Sequence, residues 1–368
     1  MEAAWDFIYF ILIAPFVWMI DEPFYLLQVV LEGIMAGIMY SLVALGFVLI
    51  YKASGVFNFA QGMFVVLAAL ALIVIQQFAP EIQLGLSLAL IAAAIALGYF
   101  KQSLDSTNLL VIIVVGGGGV VLSYFLFPIG MAIFLAIGFM ILLAMATERV
   151  VLRPLINQEE IILFMATIGL FFFLEGFGET IFGGSLRVVP REALGLPSGA
   201  ITIFGGEIRL QKIDMTAAVV AAIMVGGLAL LFRYTTVGRA LRAVADDHQA
   251  ALSVGIPLNT MWVIVWSVAG VVALGAGLMW GASSGSVSFS LVVIALKALP
   301  VLILGGFTSI PGVIVGGFII GIGEKVFEIF WDDVFPGTTE EWFAYVLALV
   351  VLLFRPQGLF GEKIIERV

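Results

Sequence analysis

Residues 161–183 read IILFMATIGLFFFLEGFGETIFG, a run interrupted by only two charges, Glu175 and Glu179. Such a run can cross the hydrocarbon core of a bilayer, which takes roughly 20 predominantly apolar residues. The pattern recurs along the chain. Helical runs are expected at 8–20, 25–50, 57–78, 84–100, 109–126, 129–148, 161–183, 214–232, 260–281, 289–305, 310–330 and 342–354. Hydrophobic residues make up 63% of the 368 positions and charged residues 11%. A soluble domain has about 45–50% and about 25%. The expected fold is therefore all-α: a polytopic helical membrane protein with about 10–12 membrane segments, some broken or re-entrant. A transmembrane barrel would need short alternating strands, whereas these runs are continuous. Run 25–50 is long, and Gly33–Gly37 is where it could break. GGFTSIPG, between 289–305 and 310–330, suggests two half-helices meeting inside the membrane.

The basic residues test the order of these runs. Arg149 with Arg153, Arg233 with Arg239 and Arg242, and the tail Arg355, Lys363 and Arg367 fall on one side, as do Lys52 and Lys101. Asp21, Glu22, Glu81, Asp332, Asp333, Glu340 and Glu341 fall on the other. The positive-inside rule then puts both termini in the cytoplasm. The loop 184–213 runs against the rule, with Arg187, Arg191, Arg209 and Lys212 on the external side; it is expected to be a small element of turns and short strands. The N-terminus has no basic stretch and no small-residue cleavage site, so 8–20 is expected to be a retained helix rather than a signal peptide.

One segment breaks the apolar pattern. GRALRAVADDHQAALSVGI (238–256) carries Arg239, Arg242, Asp246, Asp247 and His248, with Leu241, Val244, Ala245, Ala251 and Leu252 at helical spacing. Each charge at a bilayer centre costs about 2.5–3.5 kcal/mol. The segment is therefore expected to be an amphipathic helix in water, with Gly255 as its C′ residue and Pro257 as its stop. A short, capped, charged helix on the face of a membrane protein suits docking of a soluble partner.

The sequence has no Walker A motif, no Gly-x-Ser-x-Gly elbow and no HExxH. With one histidine and no cysteine, disulfides, thiolate metal sites and enzymatic catalysis by this chain are not expected. The net charge of −9 argues against a nucleic-acid partner. Polar residues inside apolar runs are functional candidates by default. In VFNFAQG, Asn58 and Gln61 could face a polar pathway, hold a broken helix end, or simply bond the backbones of neighbouring helices. Glu175 lies deep in its run; Glu179, one turn on, nears the external end. Lys297 must snorkel, pair with a carboxylate or line a wet cavity, and Pro300 beside it breaks the helix. Glu324, Lys325 and Glu328 are expected to be structural, near an interface. GIMAG (33–37), GLMWG (277–281), GVIVG (312–316) and GFIIG (317–321) are small-xxx-small patterns that allow close helix packing. Gly116–Gly119 is expected to be a bent or thin packed segment without a function.

GIMAGIMYSLVALGFVLIYKASGVFNFAQGMF (33–64) resembles the N-terminal signature of branched-chain amino-acid ABC transporter permeases of the LivH/LivM type, matching at Tyr40, Leu42, Ala44, Gly46, Asn58, Phe59, Ala60, Gln61 and Gly62. ERVVLRPL (148–155) with ATIGLFFFLEGFGETIFG (166–183), ALKALPVLILGGFTSIPGVIVGGFIIGIGE (295–324) and RPQGLFGE (355–362) are similar to later blocks of that family. The family often has Gln where Glu175 stands. Gln249, Ala250, Ala251 and Gly255 resemble the loop through which importer permeases dock into their ATPases. The resemblance runs from about residue 25 to the C-terminus; residues 1–24 look like an added membrane helix, and 98–130 is longer than expected between blocks.

The resemblance implies one LivH-like permease subunit, working by alternating access, in a bacterial inner membrane. It would pair with a LivM-like permease, two ATP-binding subunits that bind ATP and Mg, and an extracytoplasmic solute-binding protein. Residues 238–256 would be the coupling helix, with Arg239, Arg242, Asp246, Asp247, Gln249, Ala250, Ala251 and Gly255 acting on the ATPase. Asn58, Gln61, Glu175 and Lys297 would line the substrate pathway or the permease interface. An ion-coupled secondary transporter using Glu175 or Lys297, and a membrane scaffold, are the alternatives.

Overall fold

The computed structural model describes residues 9–99, 128–155, 158–246, 248–335, 337 and 339–361. The run expected at 109–126, the tetraglycine Gly116–Gly119 and Asp247 lie outside the described residues. In chain order the described helices are α1 (Ala14–Asp21), α2 (Pro23–Ser54), α3 (Gln61–Gln76), α4 (Pro80–Tyr99), α5 (Pro128–Ala146) and α6 (Glu160–Phe182). After them come α7 (Lys212–Tyr234), α8 (Thr236–Asp246), α9 (His248–Ser253), α10 (Leu258–Ser284), α11 (Leu291–Leu296), α12 (Ala298–Gly305), α13 (Ile310–Phe330) and α14 (Thr339–Phe354). A π turn (Thr147–Leu152) and a 3-10 turn (Arg153–Leu155) follow α5. The protein is helical and polytopic, as its hydropathy requires. Among the described residues five helices are long and apolar enough to span a membrane, or six counting the bent pair Leu291–Gly305 and Ile310–Phe330. That pair turns by 117°, as GGFTSIPG suggests. Run 25–50 does not break at Gly33–Gly37: α2 continues through both glycines.

The contacts divide into two compact units. The first comprises Met1–Val48, Leu196–Ala229 and Val293–Val368; the second comprises Leu49–Gly195 and Leu230–Val292.

In the first unit α2 and α13 are joined through glycine. A Cβ on Gly37 would lie 2.5 Å from the Gly317 carbonyl oxygen, and one on Gly33 would lie 2.6 Å from Ile322 Cα. GIMAG and GFIIG thus face each other, backbone on backbone, as small residues permit in lipid. Ser41 Oγ bonds the carbonyls of Gly37 (2.8 Å) and Val313 (3.2 Å), adding a polar tie between the helices. The hairpin between α12 and α13 follows from its residues. Gly306 takes φ +101°, which ends α12, and Ser309 caps α13 by accepting the Gly312 N–H at 3.1 Å. The carbonyls left at the end of α12 are filled by the tail: Leu359 N–H donates to Leu304 O (2.8 Å) and Phe360 N–H to Gly305 O (3.2 Å). This gives RPQGLFG a structural purpose. β2 (Ala200–Ile203) and β3 (Ile208–Gln211) form an antiparallel hairpin with Ala200 opposite Gln211.

The core of the second unit is α10 packed on α5 and α3. Gly270 sits against the Met140 carbonyl and Gly277 against that of Val65, each with no room for a Cβ. Trp266 is buried there, edge-on to Phe64 with ring centroids 6.4 Å apart. β1 (Arg187–Val188) pairs with β4 (Ser286–Val287). The arginines that ran against the positive-inside rule have local employment here. Arg187 donates to Phe182 O, at the C-terminus of α6. Arg191 donates to Ala282 O (2.8 Å) and Ser283 O (3.2 Å), at the C-terminus of α10. Both complete orphaned carbonyls and sit favourably on the negative ends of helix dipoles.

The glycine contacts make a direct prediction. Gly37→Leu should lower the thermal stability of the detergent-solubilised protein by about 1–3 kcal/mol or more, the usual cost of overpacking. Gly226→Leu should be silent, since nothing lies within 4 Å of a Cβ at Gly226. Equal melting temperatures for the two variants would contradict the α2–α13 packing.

Candidate functional site

The chain leaves helical geometry between α2 and α3. Gly55 takes φ +69°, and residues 56–58 have no regular structure before α3 starts at Gln61. The freed backbone is stapled to α6: Phe59 N–H donates to Thr167 Oγ1 (3.2 Å), and that hydroxyl reaches Phe57 O (3.1 Å) and Phe164 O (2.8 Å). Asn58 and Gln61 are both fully buried. Asn58 Nδ2 donates to Gln61 Oε1 at 3.5 Å, and Gln61 Nε2 donates to Ala269 O on α10 at 3.3 Å. Asn58 Oδ1 has no partner among the described residues. The amides thus reach each other and, through Gln61, the backbone of the neighbouring α10.

A cavity of about 460 Å³ opens beside this break, in the same unit. Trp262, Trp266, Leu163, Leu252 and Leu258 give it apolar walls; Glu148 and Arg153 give it charge. Arg153 grips one carboxylate oxygen of Glu148 through Nε (2.8 Å) and Nη2 (2.7 Å). Glu148 is 2% exposed. Trp262 Nε1 is spent on Ala53 O, at the end of α2 (2.9 Å). Asn58 and Gln61 are not among the lining residues.

The charged segment expected over 238–256 is helical on both sides of residue 247, which is outside the described residues, as α8 and α9, and α8 begins slightly earlier, at Thr236. Thr235 caps α8 by accepting the Gly238 N–H at 3.0 Å. Gly238 is required by crowding, because a Cβ there would lie 2.6 Å from Phe232 Cα. Leu241, Val244 and Ala251 form the buried face, while Leu252 is 55% exposed, at the cavity. Arg239 and Ala250 are exposed. Arg242 turns back and donates to Phe232 O and Arg233 O, at the C-terminal end of α7. Gly255 ends α9 with φ +83°; its N–H reaches Leu252 O (3.0 Å), and Ile256 N–H reaches Ala251 O (3.0 Å). That is the Schellman pattern expected of a C′ glycine.

In the first unit Lys297 lies in the break between α11 and α12. Pro300 explains the break: it has no N–H for the Leu296 carbonyl, and its ring crowds that oxygen. Tyr345 OH takes the freed carbonyl at 3.3 Å. Lys297 does not snorkel. Its Nζ lies 3.0 Å from Glu324 Oε1 and 3.5 Å from Glu340 Oε1. Tyr40 OH donates to the same Glu324 oxygen at 2.9 Å. Lys297 and Glu324 are 5% and 1% exposed. Lys325 bridges Glu328 (2.8 Å) and Glu340 (3.3 Å) beside them.

Sequence reading gave Glu324 no part in fixing Lys297; the two are 27 residues apart, and only the fold joins them. Each intramembrane candidate can be described within its own unit. Asn58 and Gln61 meet each other, and Lys297 belongs to an ion network. Glu175 is half-buried on α6, with no hydrogen bond or ion pair among the described residues. Around it α6 exposes Met165, Phe172, Phe173, Phe177 and Ile181.

Comparison with known proteins identifies the chain. Residues 29–355 match the family described as "Branched-chain amino acid transport system / permease component", and the chain belongs to that family. It is 27% identical to the high-affinity branched-chain amino acid transport system permease protein BraD of Pseudomonas aeruginosa, covering 94% of this chain and 99% of that protein. It is 27% identical to the corresponding permease protein LivH of Escherichia coli K12, covering 95% and 100%. A probable LivH of Methanocaldococcus jannaschii is 30% identical over 39% of this chain and 46% of that protein. No solved structure matches. The chain is thus a transport permease of the membrane, not an enzyme.

The buried pair sets up a double-mutant test. Lys297→Met leaves the Glu324 carboxylate buried without its cation, and should destabilise the protein by about 3–5 kcal/mol. Lys297→Met/Glu324→Leu should recover most of that loss in a thermal melt of purified protein. Additive losses would contradict the pairing.

Proposed function

We propose that this permease is one of two membrane subunits of an ATP-driven importer of branched-chain amino acids. The observation that carries the reading is the family match across nearly the whole chain, together with a capped, charged helical segment that exposes Arg239 and Ala250, in a sequence without a nucleotide motif. A permease of that kind needs its energy from a partner, and α8–α9 is the element suited to receive it. In this reading α8–α9 and both termini face the cytoplasm, and Arg239 and Ala250 meet the ATP-binding subunit. Arg242, Gly255 and the buried Leu241, Val244 and Ala251 hold the element in place. Asp246, Asp247 and Gln249 belong to the same stretch of sequence and are assigned to the coupling set on that ground. ATP and Mg belong to the partner.

The α6 face supports a second permease subunit. A carboxyl such as Glu175 facing hydrocarbon is costly, and the apolar side chains around it suit a helix partner. Glu175 and the amide cluster at Asn58 and Gln61 then support the path between the two permeases, and Lys297 fixes the broken helix from within. Substrate reaches the pair from an extracytoplasmic solute-binding protein.

The reading has a two-part test. Cells carrying the complete transport system should take up labelled leucine, isoleucine and valine, and lose uptake when this chain is deleted. Arg239→Glu with Ala250→Arg should cut uptake at least tenfold and stop capture of the ATP-binding subunit, without lowering the amount of permease in the membrane. Normal capture and uptake in that variant would remove the docking role.

A further inference from the structure

The cavity under α9 is used by none of the roles above. We propose that it is a binding site for a free α-amino acid with an apolar side chain, on the membrane face that carries α8 and α9. The inference rests on the importer reading, since such an amino acid is the solute that would be released on that face.

The chemistry of the walls selects the ligand. At about 460 Å³ the cavity falls within the usual range for small-molecule sites, roughly 300–1,000 Å³. Most of its surface is apolar, with two indoles, Trp262 and Trp266, and the leucines Leu163 and Leu252 among its walls. Such walls suit an apolar side chain. The polar end is a bonded ion pair, Glu148 with Arg153, offering both signs of charge within one side-chain length. An amine alone would meet the Arg153 guanidinium, and an acid alone would meet the Glu148 carboxylate. A zwitterion laid antiparallel to the pair meets neither repulsion: its carboxylate faces Arg153 and its ammonium faces Glu148. Arg153 has donors for this. Nε and Nη2 go to Glu148, and Nη2 also reaches Asn259 O at 3.4 Å. The two N–H groups of Nη1 have no partner among the described residues, and a guanidinium binds carboxylates strongly through paired N–H groups. The indole faces suit the ammonium as well. The side chain of Glu148 is 2% exposed and that of Arg153 16%. The charges therefore act in a shielded setting, where they count for more than on an open surface.

Leu252 makes the site part of the docking element. It stands on α9, whereas Trp262 and Trp266 stand on α10 and Leu163 on α6. A ligand in the cavity touches all three helices.

The experiment is a binding measurement on the purified full-length chain in lipid nanodiscs, with tritiated L-leucine and scintillation-proximity detection. Saturable binding is expected, with glycine, isopentylamine and 4-methylpentanoate each competing at least tenfold more weakly than unlabelled leucine. Each competitor lacks one of the three features: apolar body, carboxylate or ammonium. Leu163→Trp, which fills the cavity and leaves the ion pair intact, should weaken leucine binding at least tenfold, as should Glu148→Gln/Arg153→Gln. Absence of binding, competition by isopentylamine or 4-methylpentanoate equal to that of leucine, or full binding in Leu163→Trp would overturn the proposal. Leucine uptake by the complete transport system separates the two levels. Uptake with no cavity-dependent binding sinks this inference alone; absence of amino-acid uptake sinks the importer reading.

Discussion

Inside a bilayer no water is at hand to satisfy a freed carbonyl or an unpaired charge, so each must find a partner within the protein. Much of the described structure answers that constraint. Even at the ends of the spans, three helix ends are closed by arginines: Arg187 on α6, Arg191 on α10 and Arg242 on α7. The end of α12 is closed by the C-terminal tail, through Leu359 and Phe360. The carbonyl released by Pro300 is taken by Tyr345, and the lysine stranded at the same break is neutralised by Glu324. Irregular backbone is tolerated at 55–60 because Thr167 and Gln61 fasten it to neighbouring helices. Breaks of this kind cost too much to persist without such ties. They occur in the blocks at 33–64 and 295–324 that carry the family resemblance.

The same constraint separates permanent from mobile polarity. Lys297, Glu324 and Tyr40 are buried and bonded through one Glu324 oxygen, so they tie α2, α13 and the α11–α12 break together. It also weighs against Lys297 as the coupling residue of an ion-driven carrier, because its charge is already committed. Glu175 differs: it is half-buried on an apolar helix face, with no bonded partner among the described residues, and a neighbouring subunit would supply one. Arg239 and Ala250 lie on the exposed side of α8–α9, while Leu241 and Val244 anchor the other side. In the proposed reading, a segment built that way would pass a push from a soluble partner into the membrane helices it rests on.

Spans, caps and turns were legible in the sequence because they are local. Run length marks a span, Gly255 marks a helix end, and GGFTSIPG marks a hairpin whose 117° bend follows from Gly306 and the Ser309 cap. The strands and turns of 184–213 were equally readable. What escaped depended on which helices become neighbours. Nothing local ties Glu324 to Lys297. The glycines at 33 and 37 read both as a weak point in α2 and as a close-packing pattern; the packing reading holds, and only the fold shows that the partners are Gly317 and Ile322. Arg187 and Arg191 looked like exceptions to a topology rule until the helix ends they cap were known. The cavity is built from four separate stretches of sequence, so no window of the chain could announce it. The division of the chain into two interleaved units is likewise a property of contacts, not of composition.

The central claim is that this permease moves solute with energy delivered by an ATP-binding partner. Leucine accumulation in cells carrying the complete system, measured with ATP and ion gradients manipulated separately, tests it most directly. The account predicts that uptake persists when an uncoupler collapses the proton and sodium gradients while glycolysis maintains ATP, and stops when ATP is depleted with the gradients held. Uptake that follows the gradients and ignores ATP would contradict it.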